Sequence, residues 1–263
     1  MSIIEVSVGG VQFRAHERSE ARYGTFWRTF SSGSFEPATV AVLCAHLTPG
    51  ATFFDGGAWI GPFTLLGAAL GASVVAVEPD PMAVAELRAN LALNPELAAR
   101  VEVRAVALAE RSGTLRLQGG DLGLGNGLTR MTPLVAGPAA EGSGDTVPAV
   151  DVASLGLAGF TVIKFDIEGG EFAAVARLNP SASRERPRFL LSLHGPDPQG
   201  HSGLGTLRQR LAFAPRQLRL QWAIRRYHTV RRIDSNRTTT LLGRTQRLVL
   251  AFRLGETELI LSD

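Results

Sequence analysis

Two groups of side chains in this sequence have the types and spacing for chemistry. The first is Lys164-x-Asp166-x-Glu168-x-x-Glu171, which closes an apolar run beginning at Phe160. Residues two apart on a strand face the same side, so Lys164 and Asp166 project together. A carboxylate there can take the proton of a reacting hydroxyl. Lysine adds a compact ammonium whose proton affinity shifts readily on burial, a property guanidinium lacks. The choice stands out because the chain has 26 arginines and a single lysine. Asp166, tuned by Lys164, is expected to orient an acceptor or to accept its proton. His194, ending a later apolar run, is an alternative general base by its ordinary pKa.

Glu168 and Glu171 could join Asp166 around a hard cation such as magnesium. Acids at this spacing also suit the first turn of a following helix, and that reading is preferred, so no metal is expected. The histidines at 16, 46, 201 and 228 have no partner pattern. The one cysteine, Cys44, excludes an internal disulfide and a four-cysteine zinc site.

The second group is a glycine turn with an acidic partner. Phe54-Asp55-Gly56-Gly57-Ala58-Trp59-Ile60-Gly61 ends one apolar run and opens a helical pattern, and Glu78 ends the next run, 23 residues after Asp55. In a doubly wound sheet two such strand ends are neighbours at the ligand crevice. An acid there accepts hydrogen bonds from ribose hydroxyls, which points to a nucleoside-containing cofactor. A dinucleotide needs glycine in the middle of the turn, where this chain has Ala58, and Asp55 would set a carboxylate beside two phosphates. S-adenosylmethionine carries no phosphate but does carry an ammonium and a sulfonium. An acidic turn suits those cations, and a helix N-terminus suits the methionine carboxylate. Asp55, Gly57, Trp59, Gly61 and Glu78 are the expected cofactor residues, with Ala107 at the end of the third strand and Asp166 completing the set.

These residues need a scaffold, and the chain supplies an alternating one. Its 263 residues, 45% apolar and 19% charged, exclude a mainly disordered chain and suffice for a real core. Ile3–Val8 and Val11–Arg14 flank Gly9-Gly10 as a hairpin, and Glu36-Pro37 opens a helix running to Leu47. Strands follow at Ala51–Asp55, Ser73–Glu78 and Val101–Ala107, separated by helices at Pro62–Leu70 and, capped by Asp80, at Ala83–Leu93. Gly113–Gln118 reads as a short extra strand. The glycine-rich stretch 119–127 and the low-complexity stretch 136–144 read as surface connection. Phe160–Asp166 and Arg188–His194 are the fourth and fifth strands, with a helix at Glu171–Leu178 between them. Strands interleaved with helices define an α/β protein around a largely parallel sheet.

The start of the sequence has no basic, apolar leader pattern. Its longest uncharged run, 22 residues between Asp55 and Glu78, is broken by five glycines and Pro62. A cytoplasmic protein with no membrane span is expected. Charge is uneven: residues 1–205 carry a net −5, and residues 206–263, with 12 arginines and 4 acids, a net +8. The arginines could read a phosphate or carboxylate on the acceptor, or RNA. Strand-like alternation at Gln217–Ile224 and Arg247–Leu254 favours a closing hairpin with a solvated arginine face. No RNA-binding signature accompanies it, so a nucleic-acid partner is not expected.

From about Phe35 to His194 the sequence resembles the FkbM-type methyltransferases. The resemblance lies in the ordered combination of Phe35-Glu36-Pro37, Asp55–Thr64, Val77-Glu78-Pro79, Asn90-Leu91-x-Leu93-Asn94 and Ile163–Glu171. Trp59 stands where that family usually has asparagine, and Ser192 where glutamate is common before the histidine. The resemblance implies a class I, Rossmann-like methyltransferase fold around a largely parallel doubly wound sheet, to which the C-terminal alternation adds an antiparallel hairpin. It also implies transfer of a methyl group from S-adenosylmethionine to an oxygen, often a hydroxyl of a sugar or natural product. Methylation of a carboxylate or nitrogen on a peptide or metabolite is the alternative. The expected organisation is an N-terminal lid segment, 1–50, and a methyltransferase domain, 51–263, with its arginine-rich segment at 206–253.

Overall fold

Phe53 and Phe54 point to opposite faces of one strand, and both are wholly buried. Such a strand must lie in the middle of a covered sheet. A computed structural model of the chain describes residues 2–17, 25–118, 130–133, 146–167, 187–194, 229–233, 239–243 and 256–262, together with 215, 218, 224 and 227. The N-terminal elements are β1 (Ser2–Val8), β2 (Val11–Glu17), α1 (Phe26–Ser31) and α2 (Pro37–His46). The alternating core follows as β3 (Thr52–Gly56), α3 (Pro62–Ala69), β4 (Ser73–Val77), α4 (Pro81–Ala92), α5 (Pro95–Ala98) and β5 (Val101–Arg104). Next come β6 (Ala107–Ala109), β7 (Gly113–Gln118), β8 (Arg130–Pro133) and β9 (Thr146–Asp151). The chain ends with β10 (Val162–Phe165), β11 (Arg188–His194), β12 (Thr229–Ile233), β13 (Thr239–Leu241) and β14 (Glu256–Ser262).

Eight strands form the main sheet in the order β13-β12-β14-β11-β10-β3-β4-β5. From β11 to β5 every pairing is parallel. β14 is antiparallel to both its neighbours, β11 and β12. Two apolar layers cover the sheet. Phe53, Val74, Ala76 and Val162 face one, with residues of α2, α3 and the β1–β2 hairpin. Phe54, Ile163, Phe165 and Phe189 face the other, with Ile224, Tyr227 and Leu261.

Several expectations hold to within a residue or two: the Gly9-Gly10 hairpin, both glycines at positive φ, α2 after Glu36, and the strands β3, β4, β10 and β11. Asp80 caps α4, its carboxylate accepting the backbone N–H groups of Met82 (2.8 Å) and Ala83 (3.3 Å). The third strand differs. It ends at Arg104, and Ala107 starts a second, four-stranded sheet, β6-β9-β7-β8, which the sequence reading did not foresee. An apolar run alone cannot tell one strand from two that part into different sheets. Gly113–Gln118 belongs to this second sheet, and β8 lies between the two stretches read as surface connection, whose own residues fall outside those described.

The first of the two expected closing strands also differs. Pro215, Leu218 and Ile224 are helical, not strand, because residues read as alternating every two also stand four apart, the spacing of one helix face. The antiparallel closure is made instead by β14, with a β12–β13 hairpin at the sheet edge. The Arg247–Leu254 and Glu171–Leu178 segments lie outside the described residues.

Two asparagines of α4 join the hairpin to the core. Asn90, wholly buried, accepts the His16 backbone N–H (2.8 Å) and donates to the Ile60 carbonyl (3.0 Å). Asn94 accepts from the Arg14 N–H (2.8 Å) and donates to its carbonyl (2.7 Å). These amides satisfy the outer edge of β2 as another strand would, and Asn90 ties it to the glycine turn. Asn90→Ala leaves one buried donor and one buried acceptor unmet, so a loss of about 2 kcal/mol in stability is expected from urea unfolding. A loss below about 0.5 kcal/mol would refute this role.

Candidate cofactor and acceptor site

From β3 the strand order runs outward through β4 and β5, whereas β10 and β11 lie on its other side. The order therefore reverses between β3 and β10, the place where open α/β sheets bind ligands. Asp55 and Lys164 are register partners across that boundary. Each lies two residues beyond a side chain of the same apolar layer, Phe53 and Val162, so both face that layer at the carboxyl end of the sheet.

Lys164 is 3% exposed, and its Nζ lies 3.0 Å from Asp166 Oδ2 and 5.1 Å from the centre of the Phe63 ring. Burial by itself pushes the ammonium toward deprotonation, but the carboxylates of Asp166, Glu36 and Asp55 outweigh it and raise the lysine above its ordinary value. Lys164 is not poised to lose a proton; it is a fixed cation whose charge serves the acids around it. Asp166 is the more accessible partner, at 26% exposure.

Asp55 is 1% exposed. Thr64, in the first turn of α3, donates to its Oδ2 at 2.6 Å, while Oδ1 is buried with no hydrogen-bond partner among the described residues. Burial pushes the Asp55 carboxyl up to about 6, with Lys164 and the Thr64 hydroxyl opposing that rise and Asp166 adding to it. Glu78, 7% exposed, follows β4; its Oε2 accepts the Trp59 N–H of the glycine turn and its Oε1 the Asp80 N–H at the start of α4, both at 2.9 Å. Its carboxyl is pushed up to about 7, again chiefly by burial, against those two hydrogen bonds. Each Glu78 oxygen thus spends one acceptor position on a backbone N–H, one in the turn and one at the start of α4, and keeps capacity for another donor.

The turn leaves the sheet with Gly57 and Ala58 both donating to the Val77 carbonyl (2.9 and 3.1 Å). Gly57 has φ +82°, and a Cβ on it would overlap the Asp166 carbonyl oxygen and lie 2.7 Å from that carbonyl's carbon. Its glycine is demanded by the close passage of β3 and β10. Gly61, φ +94°, would press a Cβ only on a terminal methyl of Leu87. Trp59 holds a left-handed backbone at φ +49°, a conformation asparagine adopts more easily.

The structure thus brings together Asp55, Gly57, Trp59, Gly61, Glu78, Lys164 and Asp166. Ala107 stands apart: it is wholly buried at the start of β6, paired with Ala149. His194 ends β11 opposite Glu256 of β14, and its side chain is outside the described residues, as are Glu168 and Glu171. Among the described residues no group of three or more His, Cys, Asp or Glu could hold a metal. No described helix is long and apolar enough to cross a membrane.

Thr64 and Asn90 are given no part in the site by the sequence, and Glu36 only a place in an N-terminal lid or the core. Thr64 and Asn90 had a usable signal, since each is a polar residue on the buried face of an otherwise apolar helical pattern. Glu36 had none for its charge, because the lysine it faces is 128 positions away.

No protein-family model matches the sequence, and no curated protein does. Among solved structures the chain is similar to methyltransferase FkbM from Methylobacillus flagellatus KT, at 16% identity and TM-score 0.45, covering 92% of this chain and 55% of that one. It is similar to magnesium protoporphyrin IX methyltransferase (ChlM) from Synechocystis PCC 6803 with bound SAH, at 14% identity and TM-score 0.44, covering 92% and 91%. A third is the T. thermophilus 16S rRNA N2 G1207 methyltransferase (RsmC) in complex with AdoMet and guanosine, at 16% and 0.42, covering 100% and 50%. The chain spans about half the length of the first and third of these. Its own sheet, parallel from β11 to β5 with β14 antiparallel between β11 and β12 and β13 antiparallel at the edge, is a doubly wound, Rossmann-like α/β sheet.

Proposed function

We propose that this chain is an S-adenosylmethionine-dependent methyltransferase acting on a hydroxyl of a small molecule, such as a sugar or natural-product intermediate. One observation carries the reading. At the switch point a glycine turn is bracketed by two buried carboxylates, Asp55 and Glu78, and Asp55 Oδ1 has no hydrogen bond among the described residues. An orphaned acid in that position suits a cationic ligand and opposes a pyrophosphate. Asp55 would hold the cofactor's ammonium, and Glu78, with its spare acceptor capacity, the ribose hydroxyls. When bound, the cofactor supplies an electrophilic methyl group on a sulfonium.

Asp166 is the catalytic group in this reading. Its half-open carboxylate orients the acceptor hydroxyl and takes its proton as the oxygen becomes a nucleophile. Lys164 does not transfer a proton; its ammonium holds the Asp166 carboxylate in place. The arginine-rich segment, of which Arg231 and Arg232 on β12 are described, leaves an RNA acceptor as an outcome for experiment.

Calorimetry with S-adenosylmethionine, S-adenosylhomocysteine and NAD is the direct test. Both methyl-cycle ligands should bind and NAD should not; binding of NAD alone sinks the reading. With a methyl-labelled donor, transfer to hydroxyl compounds rather than to carboxylates, amines or RNA is expected. Asp166→Asn should then lower kcat by about 100-fold or more.

A further inference from the structure

Among the described residues only two besides glycine adopt a positive φ, Glu36 at 39° and Trp59 at 49°. Both conformations are costly for side chains of this kind, and such strain persists where the surroundings over-determine it. The two residues belong to one assembly. Trp59 meets Phe26 edge-on with ring centres 4.6 Å apart, and Phe26 meets Phe35 at 4.9 Å. Phe35 stacks on Phe63 at 6.1 Å, and the Lys164 ammonium lies over that same Phe63 ring. Glu36 directly follows Phe35, so this aromatic path delivers its carboxylate into the field of the ammonium.

We propose that Glu36 is a positioning residue of the site, closing from the N-terminal segment a cage of three carboxylates around the Lys164 ammonium, with Asp55 and Asp166 as the other two. Around Lys164, β3 contributes Asp55, the start of α2 contributes Glu36 and the end of β10 contributes Asp166. The neighbours from α3 and β11, Phe63 and Leu190, are uncharged. A cation shared among three carboxylates does not commit wholly to one of them. Glu36 thus helps to hold the ammonium in place, and through it the carboxylate of Asp166, the accessible member. This deepens the methyltransferase reading, on which its catalytic consequence rests, but the cage is testable without an acceptor.

The test uses the fact that Lys164 is the chain's only lysine. Full-length protein labelled with 15N at lysine Nζ gives one ammonium signal by NMR, and the exchange of its protons with water is measured at pH 7. Glu36→Gln is expected to speed that exchange about tenfold by removing one carboxylate. Glu36→Asp should restore at least half of the protection, and the exposed control Glu96→Gln should change nothing.

Glu36→Gly provides an independent arm. Glycine relieves the left-handed strain, so this variant should melt no lower than wild type while its ammonium exchanges as fast as in the glutamine variant. A merely structural Glu36 gives the opposite pair, a lower Tm and unchanged exchange. Unchanged exchange in both the glutamine and glycine variants overturns the proposal. Calorimetry on the same samples separates the two readings. Wild type that binds no S-adenosylmethionine, with faster exchange in the variants, sinks the methyltransferase reading and leaves the cage. Binding with unchanged exchange sinks the cage alone.

Discussion

Gly57→Ala is expected to be the most damaging single methyl group that can be added to this site. The new Cβ would overlap the Asp166 carbonyl oxygen, and its φ of +82° is one an alanine adopts only at a cost. The obstacle is backbone, so no side-chain rotation relieves it. Relief requires β3 and β10 to separate, which breaks the 2.9 Å bond from Asp166 N–H to the Gly56 carbonyl and disturbs the register that sets Asp55 against Lys164. Left-handed strain of about 1–2 kcal/mol and overpacking of about 1–3 kcal/mol add to roughly 4 kcal/mol. That is a large part of a typical domain's stability. Gly61→Ala is the informative comparison, because the Leu87 methyl in its way can turn aside; about 1–2 kcal/mol is expected there. Urea unfolding of the two variants decides the matter, and equal losses would show that the close passage of the strands is not what requires Gly57.

Lys164→Met keeps an unbranched chain of similar length and removes only the charge. Asp55, Asp166 and Glu36 then face one another without a counter-ion, and breaking a buried pair from one side costs about 3–5 kcal/mol. The pH dependence gives this cost a signature. Asp55 and Glu78, at about 6 and about 7 in the folded chain, both lie above their ordinary values. For a raised carboxyl the associated stability is fully present below the unfolded pKa and is lost as pH rises through the folded one. Wild type should therefore lose stability between about pH 4 and pH 7, on the order of 2 kcal/mol for each group. Lys164 opposes the Asp55 rise, so its removal lifts that carboxyl further. The Lys164→Met deficit should be largest at pH 8 and should shrink to less than half at pH 5, where Asp55 is protonated. Denaturant curves at the two pH values test this, and an equal deficit at both would mean that lost packing, not charge, is responsible.

Much of this protein was legible before any coordinate. The alternation of β3, α3, β4 and α4, the hairpin at Gly9-Gly10 and the cap at Asp80 are properties of short windows, where side-chain period and turn chemistry act on adjacent residues. For the same reason the sequence alone picked out the Asp55–Gly61 turn, Glu78, and the pairing of Lys164 with Asp166 two residues on. Windows fail where one pattern serves two structures. The run through Ala107 conceals a change of sheet, and the alternation before Ile224 conceals a helix.

Only the tertiary structure decided which of those residues meet. It set Asp55 opposite Lys164, and the charges of Asp166, Glu36 and Asp55 together hold that lysine above its ordinary value. It also traced Gly57 to the Asp166 carbonyl and the two asparagines of α4 to the edge of β2. Protonation and close packing are fixed by whatever groups share a few ångströms, and here those groups come from segments tens to more than a hundred residues apart. A linear pattern carries the identity of each group but not the distance between them, and it is the distance that sets the energy.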